Sequence, residues 1–339
     1  MYEVGCLAAL EDFFDGFYAC DFEVIVGTSA GATVAMALAG GLRASRMYRA
    51  LLDPADDFFP LRRHHVLGLD GAEWRRVTST VLSAGRRALS SMVSRPLDTD
   101  VWNELERFVD SLPAGLLSLE AYERFLSELM ERRSIPARFA EMQRALALVA
   151  YDLDAGERTV FGKAYLDVPI AKAVTASSAI PVLFAPVRIG ERDYVDGGLG
   201  DVAHVDVAVE LGSQAVLIIN PMVPIRSEVH LRDIPTGHGR MNRVRDKGLL
   251  WVYNQALRMR SESRLRAGLE RYRAAHPDTQ VLLLEPDPSD ATLFMHSPMN
   301  FAARRAILTH AYTTTYQALR VASSPLRALI ERRGFSPKA

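Results

Sequence analysis

The sequence predicts a three-layer α/β/α fold, a central and mostly parallel sheet between helices, with one helical insertion and a helical C-terminal region. Three observations carry this. Short apolar runs alternate with segments of helical period along the 339 residues. A Gly-x-Ser-x-Gly turn joins the first such run to a helical segment. The composition, 49% apolar and 24% charged, is that of a globular chain long enough for a large core.

Met1 to Phe17 reads as a helix, because Val4, Leu7, Leu10, Phe14 and Phe17 recur at helical spacing. Phe22 to Val26 reads as a short buried strand, Gly27 to Gly31 as a tight turn, and Ala32 to Ala39 as a helix stopped by Gly40-Gly41. From Asp53 to Gln143 the pattern changes to Arg-rich helical stretches broken at Pro60, Pro96, Pro113 and Pro136, read as a helical insertion over the sheet. Its apolar patch, Leu112 to Leu119, is either a wall or lid for a greasy substrate or ordinary helix packing. Strand patterns return at Leu146–Tyr151 and Arg158–Phe161, followed by a helix at Ile170–Ser178 that stops ahead of Pro181. Val187–Ile189 and Tyr194-Val195 flank a hairpin turn. Val205–Leu211 is helical, Ala215–Asn220 and Gln280–Glu285 are strands, and long helices fill Asp246–Tyr272 and Asn300–Arg320. The chain reads as one domain over residues 1–339, with the insertion at about 53–143 and the helical C-terminal region at about 287–339.

The net charge of −1 gives no global field toward nucleic acid or a basic partner. A local bias exists: Arg62, Arg63, Arg75, Arg76, Arg86, Arg87 and Arg95 face only Asp70 and Glu73. It reads as a solvated helical face or as a contact for anionic lipid headgroups. Cys6 and Cys20 make no disulfide framework and stand in no metal-ligand spacing. With no basic leader segment and no clean apolar span, the expectation is a cytoplasmic protein, at most peripheral at a membrane.

Gly27-Thr28-Ser29-Ala30-Gly31 carries the chemistry. A sharp turn between strand and helix strains the Ser backbone and holds its hydroxyl out at the strand's end, near helix N–H groups that favour an oxyanion. The flanking glycines are expected to let the strand and helix backbones approach. No Gly-Lys-Ser/Thr follows, which argues against a phosphate-binding P-loop. A Ser nucleophile needs a base. Of the eight histidines, His64, His65, His230, His238 and His276 sit in polar, charged or Pro-rich stretches, leaving His204, His296 and His310. The other candidate is Asp196, which follows a strand and precedes Gly197-Gly198. A carboxyl of ordinary pKa, about 3.9, is a poor base, and desolvation improves it. The elbow follows the first strand of the chain, which argues against the ordinary α/β-hydrolase order, although Ser29, Asp196 and a later His remain open as a triad.

Together these blocks resemble the patatin-like phospholipases: Tyr2-Glu3-Val4-Gly5 leading to Leu7, Ala9 and Leu10; the Gly27–Gly31 elbow; Ala176-Ser177-Ser178-Ala179-Ile180-Pro181 with Phe184 and Pro186; Tyr194-Val195-Asp196-Gly197-Gly198; and Asn220-Pro221 after a strand. The resemblance is weakest between Asp53 and Gln143. It implies a Ser29–Asp196 dyad without histidine, hydrolysis of lipid acyl esters, a lipid or membrane-surface ester as substrate, and no metal or cofactor.

The family carries a Gly-rich oxyanion loop after a strand that precedes its first helix. Here the match begins inside that helix, at Tyr2. The expectation is therefore that the native protein starts upstream, that Ala30 supplies the main remaining oxyanion N–H, and that one edge of the Phe22–Val26 strand is open. Each lost donor costs roughly a hundredfold to a thousandfold in rate. Two alternatives stand beside the hydrolase: an acyltransferase through the same acyl-Ser29, and a non-catalytic lipid-binding or membrane-associated family member.

Overall fold

An apolar helix buried nearly all round opens the chain: α1 (Tyr2–Phe13) buries Tyr2, Val4, Cys6, Leu7, Ala9 and Leu10 among others. The structure is a computed structural model. It describes residues 1–66, 114–200, 203–226, 234–236, 239–241, 243–288 and 303–338, together with Arg75, Thr78, Ser79, Ser83 and Arg86. Downstream of α1 come β1 (Val24–Thr28), α2 (Ala30–Ala39), α3 (Ala44–Leu52) and the short α4 (Arg63–Val66). The middle of the chain holds β2 (Gly115–Leu117), α5 (Glu120–Arg132), β3 (Ala145–Asp152), β4 (Glu157–Gly162), α6 (Ile170–Ser177), β5 (Val182–Phe184), β6 (Val187–Ile189) and β7 (Arg192–Asp196). The last part holds α7 (Val205–Glu210), β8 (Ala215–Ile219), a β9–β10 hairpin (Ile234–Thr236, Gly239–Met241), α8 (Leu249–Ala275), β11 (Gln280–Leu284), α9 (Arg304–Arg320) and α10 (Pro325–Glu331).

The α/β architecture is as the sequence predicts. Strand β3 is its centre: Leu146 through Ala150 are buried in succession, so both faces of the strand are covered. Helices α2 and α6 pack on β1, β3 and β7. Parallel pairing joins β1 to β3, β8 to β11 and β2 to β5, and antiparallel hairpins add β4, β6 and β7.

One edge of β3 decides the rest. Strand β4 pairs antiparallel along Ala147–Asp152, which occupies one edge. The other edge is shared. β1 takes it up to the rung Thr28–Val149, and β7 takes it from Asp196–Ala150 onward, running in the opposite direction. The C-terminal ends of β1 and β7 therefore meet head to head on consecutive rungs. Among the described residues the far edge of β1 carries no strand.

Most element positions match the sequence reading, and three differ: α1 stops at Phe13, four residues short of the expected Phe17, because Phe14 is already extended. The first strand runs Val24–Thr28, two residues later than the sequence pattern suggests, because the ladder with β3 carries through Gly27 and Thr28. The five-residue turn thereby shrinks to a single residue, with α2 starting at Ala30. The sequence pattern puts Leu112–Leu119 within a helical insertion. Its described part instead forms β2, paired with β5. A Cβ at Gly115 would lie 2.1 Å from the Phe184 carbonyl carbon, a backbone approach that a helix-period reading does not anticipate. The insertion's helix α5 does carry an amphipathic face, with Tyr122, Phe125, Leu126, Leu129 and Met130 buried. Of the Arg cluster, Arg62, Arg75 and Arg86 are exposed, and Arg76, Arg87 and Arg95 lie outside the described residues. Among the described residues no helix is long and apolar enough to cross a membrane.

Glu11 ties α1 to the Ala19 turn and to α3. Its buried carboxylate accepts the N–H groups of Ala19 and Ala44 at 3.0 Å and of Ser45 at 2.8 Å. Helix α3 has no side-chain cap of its own, so a carboxylate from α1 satisfies its first-turn donors and its dipole. Replacing Glu11→Ala leaves three buried N–H groups without this partner. A stability loss of about 3 kcal/mol or more is expected, read from urea unfolding; a loss under about 1 kcal/mol would show that water or a local shift replaces the carboxylate.

Candidate active site

Ser29 is the single residue between β1 and α2, and it sits at φ 54 and ψ −132, a backbone region that costs a non-Gly residue about 1–3 kcal/mol. The surroundings hold it there. Gly27 is required by contact: a Cβ would lie 2.6 Å from the Ala35 Cβ and 2.8 Å from the Ala32 Cα. Small residues on α2 thus let the helix close onto the strand. Gly31 differs from the expectation, because a Cβ there would meet nothing within 4 Å. Its missing side chain leaves space beside the elbow and is not needed for strand–helix packing.

Asp196 ends β7, opposite Ala150, one rung from Thr28. Its Oδ2 accepts the Ser29 hydroxyl at 2.5 Å, and its Oδ1 accepts the Gly198 N–H at 2.7 Å. Both oxygens are therefore held, one by the Ser29 hydroxyl and one by the turn after the strand. That turn lies hard against β3, and a Cβ at Gly197 would lie 2.2 Å from the Val149 carbonyl oxygen. Asp196 is 5% exposed. Burial pushes its carboxyl up to about 6, against the smaller lowering effects of the Ser29 and Gly198 hydrogen bonds. A carboxylate base needs this desolvation.

Three further residues hold the pair together, and the motifs assign them no such role. The Ser177 hydroxyl is fully buried, donates to the Val149 carbonyl at 2.6 Å and accepts the Ser29 N–H at 2.9 Å. The Ser178 hydroxyl lies 3.2 Å from the Ser29 carbonyl and 2.8 Å from that of Val174. The Ala179 carbonyl accepts the Asp196 N–H at 3.0 Å. One segment, the end of α6, thus grips the backbones of both Ser29 and Asp196. The signal in the sequence is a pair of hydroxyls closing an apolar helix just before Pro181, a place where such groups bond backbone rather than solvent. One turn into α2, Thr33 shares a 2.5 Å hydrogen bond with Tyr122, tying the insertion helix α5 to α2.

No histidine joins Ser29 or Asp196 among the described residues. His204 is buried at the start of α7, His310 lies on α9, and His296 is outside the described residues. The described residues hold no group of three His, Cys, Asp or Glu that could bind a metal ion. The Ser29 N–H is engaged by the Ser177 hydroxyl, and the first turn of α2 begins at Ala30. Chemically, the pair can pass a proton from hydroxyl to carboxylate directly, and it stands at a helix N-terminus that favours negative charge.

This geometry sets two measurable outcomes. A carboxyl raised from 3.8 to about 6 by folding contributes stability below the lower value. That contribution is lost as pH rises through the higher one, a difference of about 3 kcal/mol. Asp196→Asn is therefore expected to match the wild type near pH 4 and exceed its stability at pH 8 by up to that amount; a variant less stable than wild type at pH 8 contradicts the buried charge. Ser177→Ala leaves the Ser29 N–H and the Val149 carbonyl unsatisfied. It is expected to cost about 1–3 kcal/mol in urea unfolding and to broaden the backbone resonances of Ser29; unchanged resonances would show that the elbow holds without it.

Comparison with known proteins places the chain. It resembles the crystal structure of VipD from Legionella pneumophila at 16% sequence identity and a TM-score of 0.35, over 93% of this chain and 63% of that one. The chain thus spans under two thirds of that protein's length. Residues 1–209, from α1 past the Asp196 turn to α7, match the profile of a family described as patatin-like phospholipase. With more than half of its length matched, this chain belongs to the patatin-like phospholipase family, a family of lipid acyl hydrolases.

Proposed function

We propose that this protein is a serine lipid acyl hydrolase in which Ser29 is the nucleophile and Asp196 the general base. The observation that carries the reading is the direct hydrogen bond of 2.5 Å from the Ser29 hydroxyl to a buried Asp196 carboxylate. A carboxyl with a pKa of about 6 is ionised at pH 7 yet basic enough to share the hydroxyl proton in the transition state.

The steps are those of acyl transfer through a covalent intermediate. Asp196 takes the Ser29 proton as Oγ forms a bond to the ester carbonyl carbon, and the carbonyl oxygen becomes an oxyanion facing the first-turn N–H groups of α2. When the tetrahedral adduct collapses, the C–O bond to the alcohol breaks. Asp196 returns the proton to the leaving oxygen, and the acyl group stays on Ser29. A water then gives its proton to Asp196 and attacks the acyl carbon. Collapse releases the carboxylic acid, with the proton restored to Oγ. Gly31 leaves open space beside the elbow, which suits an acyl chain approaching Ser29. The fixed carboxylate does in one residue what a His–Asp pair does in two, because Gly198 already orients it.

The test is hydrolysis of p-nitrophenyl esters and of a phospholipid panel. Ser29→Ala and Asp196→Asn are each expected to lower kcat by about a thousandfold or more with the fold intact, and a fluorophosphonate is expected to label Ser29 alone. In the wild type kcat/KM should fall tenfold per pH unit below about pH 6, because protonated Asp196 cannot accept the Ser29 proton. Retained turnover in Ser29→Ala, or a comparable loss in folded His204→Ala or His310→Ala, rejects the dyad. Adding an alcohol acceptor distinguishes hydrolysis from acyl transfer to that acceptor.

A further inference from the structure

Helix α8 has an outward face that nothing among the described residues covers. Leu249, Val252, Ala256 and Met259 succeed one another at intervals of three, four and three, which places them on one stripe of the helix. Three of them are large and exposed, Leu249 at 81%, Val252 at 45% and Met259 at 58%. Other positions of the same turns are anchored inward. Arg258 donates to the carbonyls of Pro221 at 3.2 Å and Val223 at 2.9 Å, and Gln255 pairs with Ile225 through both its N–H and its carbonyl. These bonds hold the helix in place, with Gln255 at the edge of the apolar stripe and Arg258 on a neighbouring face.

Along this part of the helix the charge has one sign. From Leu249 to Ser261 the helix carries no Asp or Glu, and Arg260 is exposed beside Met259. Just before the helix, Arg243 and Arg245 are exposed, and Asp246 lies 3.8 Å from Arg245. The chain as a whole has a net charge of −1, so this cationic flank is a local feature. An apolar stripe flanked by arginines matches an anionic lipid surface, which offers phosphates to the cations and acyl chains to the stripe. Helix α8 also packs against Gly197–Leu199, the turn after Asp196.

We infer that the α8 stripe, with Arg243, Arg245 and Arg260, docks the protein onto anionic membranes. The choice of a lipid surface rests on the lipid-hydrolase reading, whereas the docking itself does not need Ser29. The experiment is co-sedimentation of the full chain with phosphatidylglycerol vesicles and with phosphatidylcholine vesicles. The wild type and Ser29→Ala are expected to bind the anionic vesicles equally and the zwitterionic ones weakly. The triple variant Leu249→Glu, Val252→Glu, Met259→Glu should lose about tenfold or more of the anionic partition, with an unchanged rate on a soluble short-chain ester. These residues are exposed, so the melting temperature should stay close to that of the wild type. The inference fails if the triple variant binds as the wild type does, or if the wild type ignores anionic vesicles. It also fails if the wild type is a dimer in light scattering that the triple variant dissociates, since the stripe then belongs to a second copy. Loss of hydrolysis in Ser29→Ala bears on the catalytic reading alone.

Discussion

The structure depends on how one edge of β3 is divided. With β4 on its other side, β3 offers a single edge to two strands that run toward each other, and β1 and β7 stop on adjacent rungs, at Val149 and Ala150. Everything at the site derives from that collision. The chain leaving β1 must turn at once, at Ser29, and the chain leaving β7 must turn at once, at Gly197. Neither turn has room to be gradual. Gly197 lies against the Val149 carbonyl, and Gly27 lies against α2, so small residues stand where the two turns press on their neighbours.

The strain and the buried charge are maintained by the same rungs. The Ser177 hydroxyl links the Ser29 N–H to the carbonyl of Val149, and the Ala179 carbonyl takes the Asp196 N–H. The end of α6 therefore locks Ser29 and Asp196 to one frame. Relaxing either backbone would require breaking buried hydrogen bonds, which is why an unfavourable φ and a carboxyl shifted to about 6 persist together. A site of this kind works against stability at neutral pH, and the cost is carried by the apolar packing of β3 and its helices.

Away from the sheet, polar groups join elements that the apolar pattern leaves independent. Glu11 caps α3 from α1, Tyr122 ties the insertion to α2 through Thr33, and Arg258 holds the segment after β8 against α8. Each contact joins residues far apart in the chain, and each satisfies backbone or hydroxyl groups that packing alone would leave without partners.

Local patterns in the sequence carry the α/β class, nearly all the strands around the site and the two residues that meet in it. Apolar runs read as strands, a Gly-x-Ser-x-Gly turn needs a strand before and a helix after, and Asp-Gly-Gly marks a carboxylate on a tight turn. The resemblance of those blocks to a known family adds that Ser29 and Asp196 belong together. Packing in three dimensions supplies the part that no local pattern contains. Ser177 reads as one more hydroxyl at a helix end until Val149 and Ser29 are brought to either side of it. Gly31 reads as a packing glycine until the space beside it proves empty, and Leu116 as part of a helical insertion until Gly115 and Phe184 press together into a parallel pair. The raised carboxyl of Asp196 likewise belongs to no motif, because desolvation is set by what the rest of the chain packs around it.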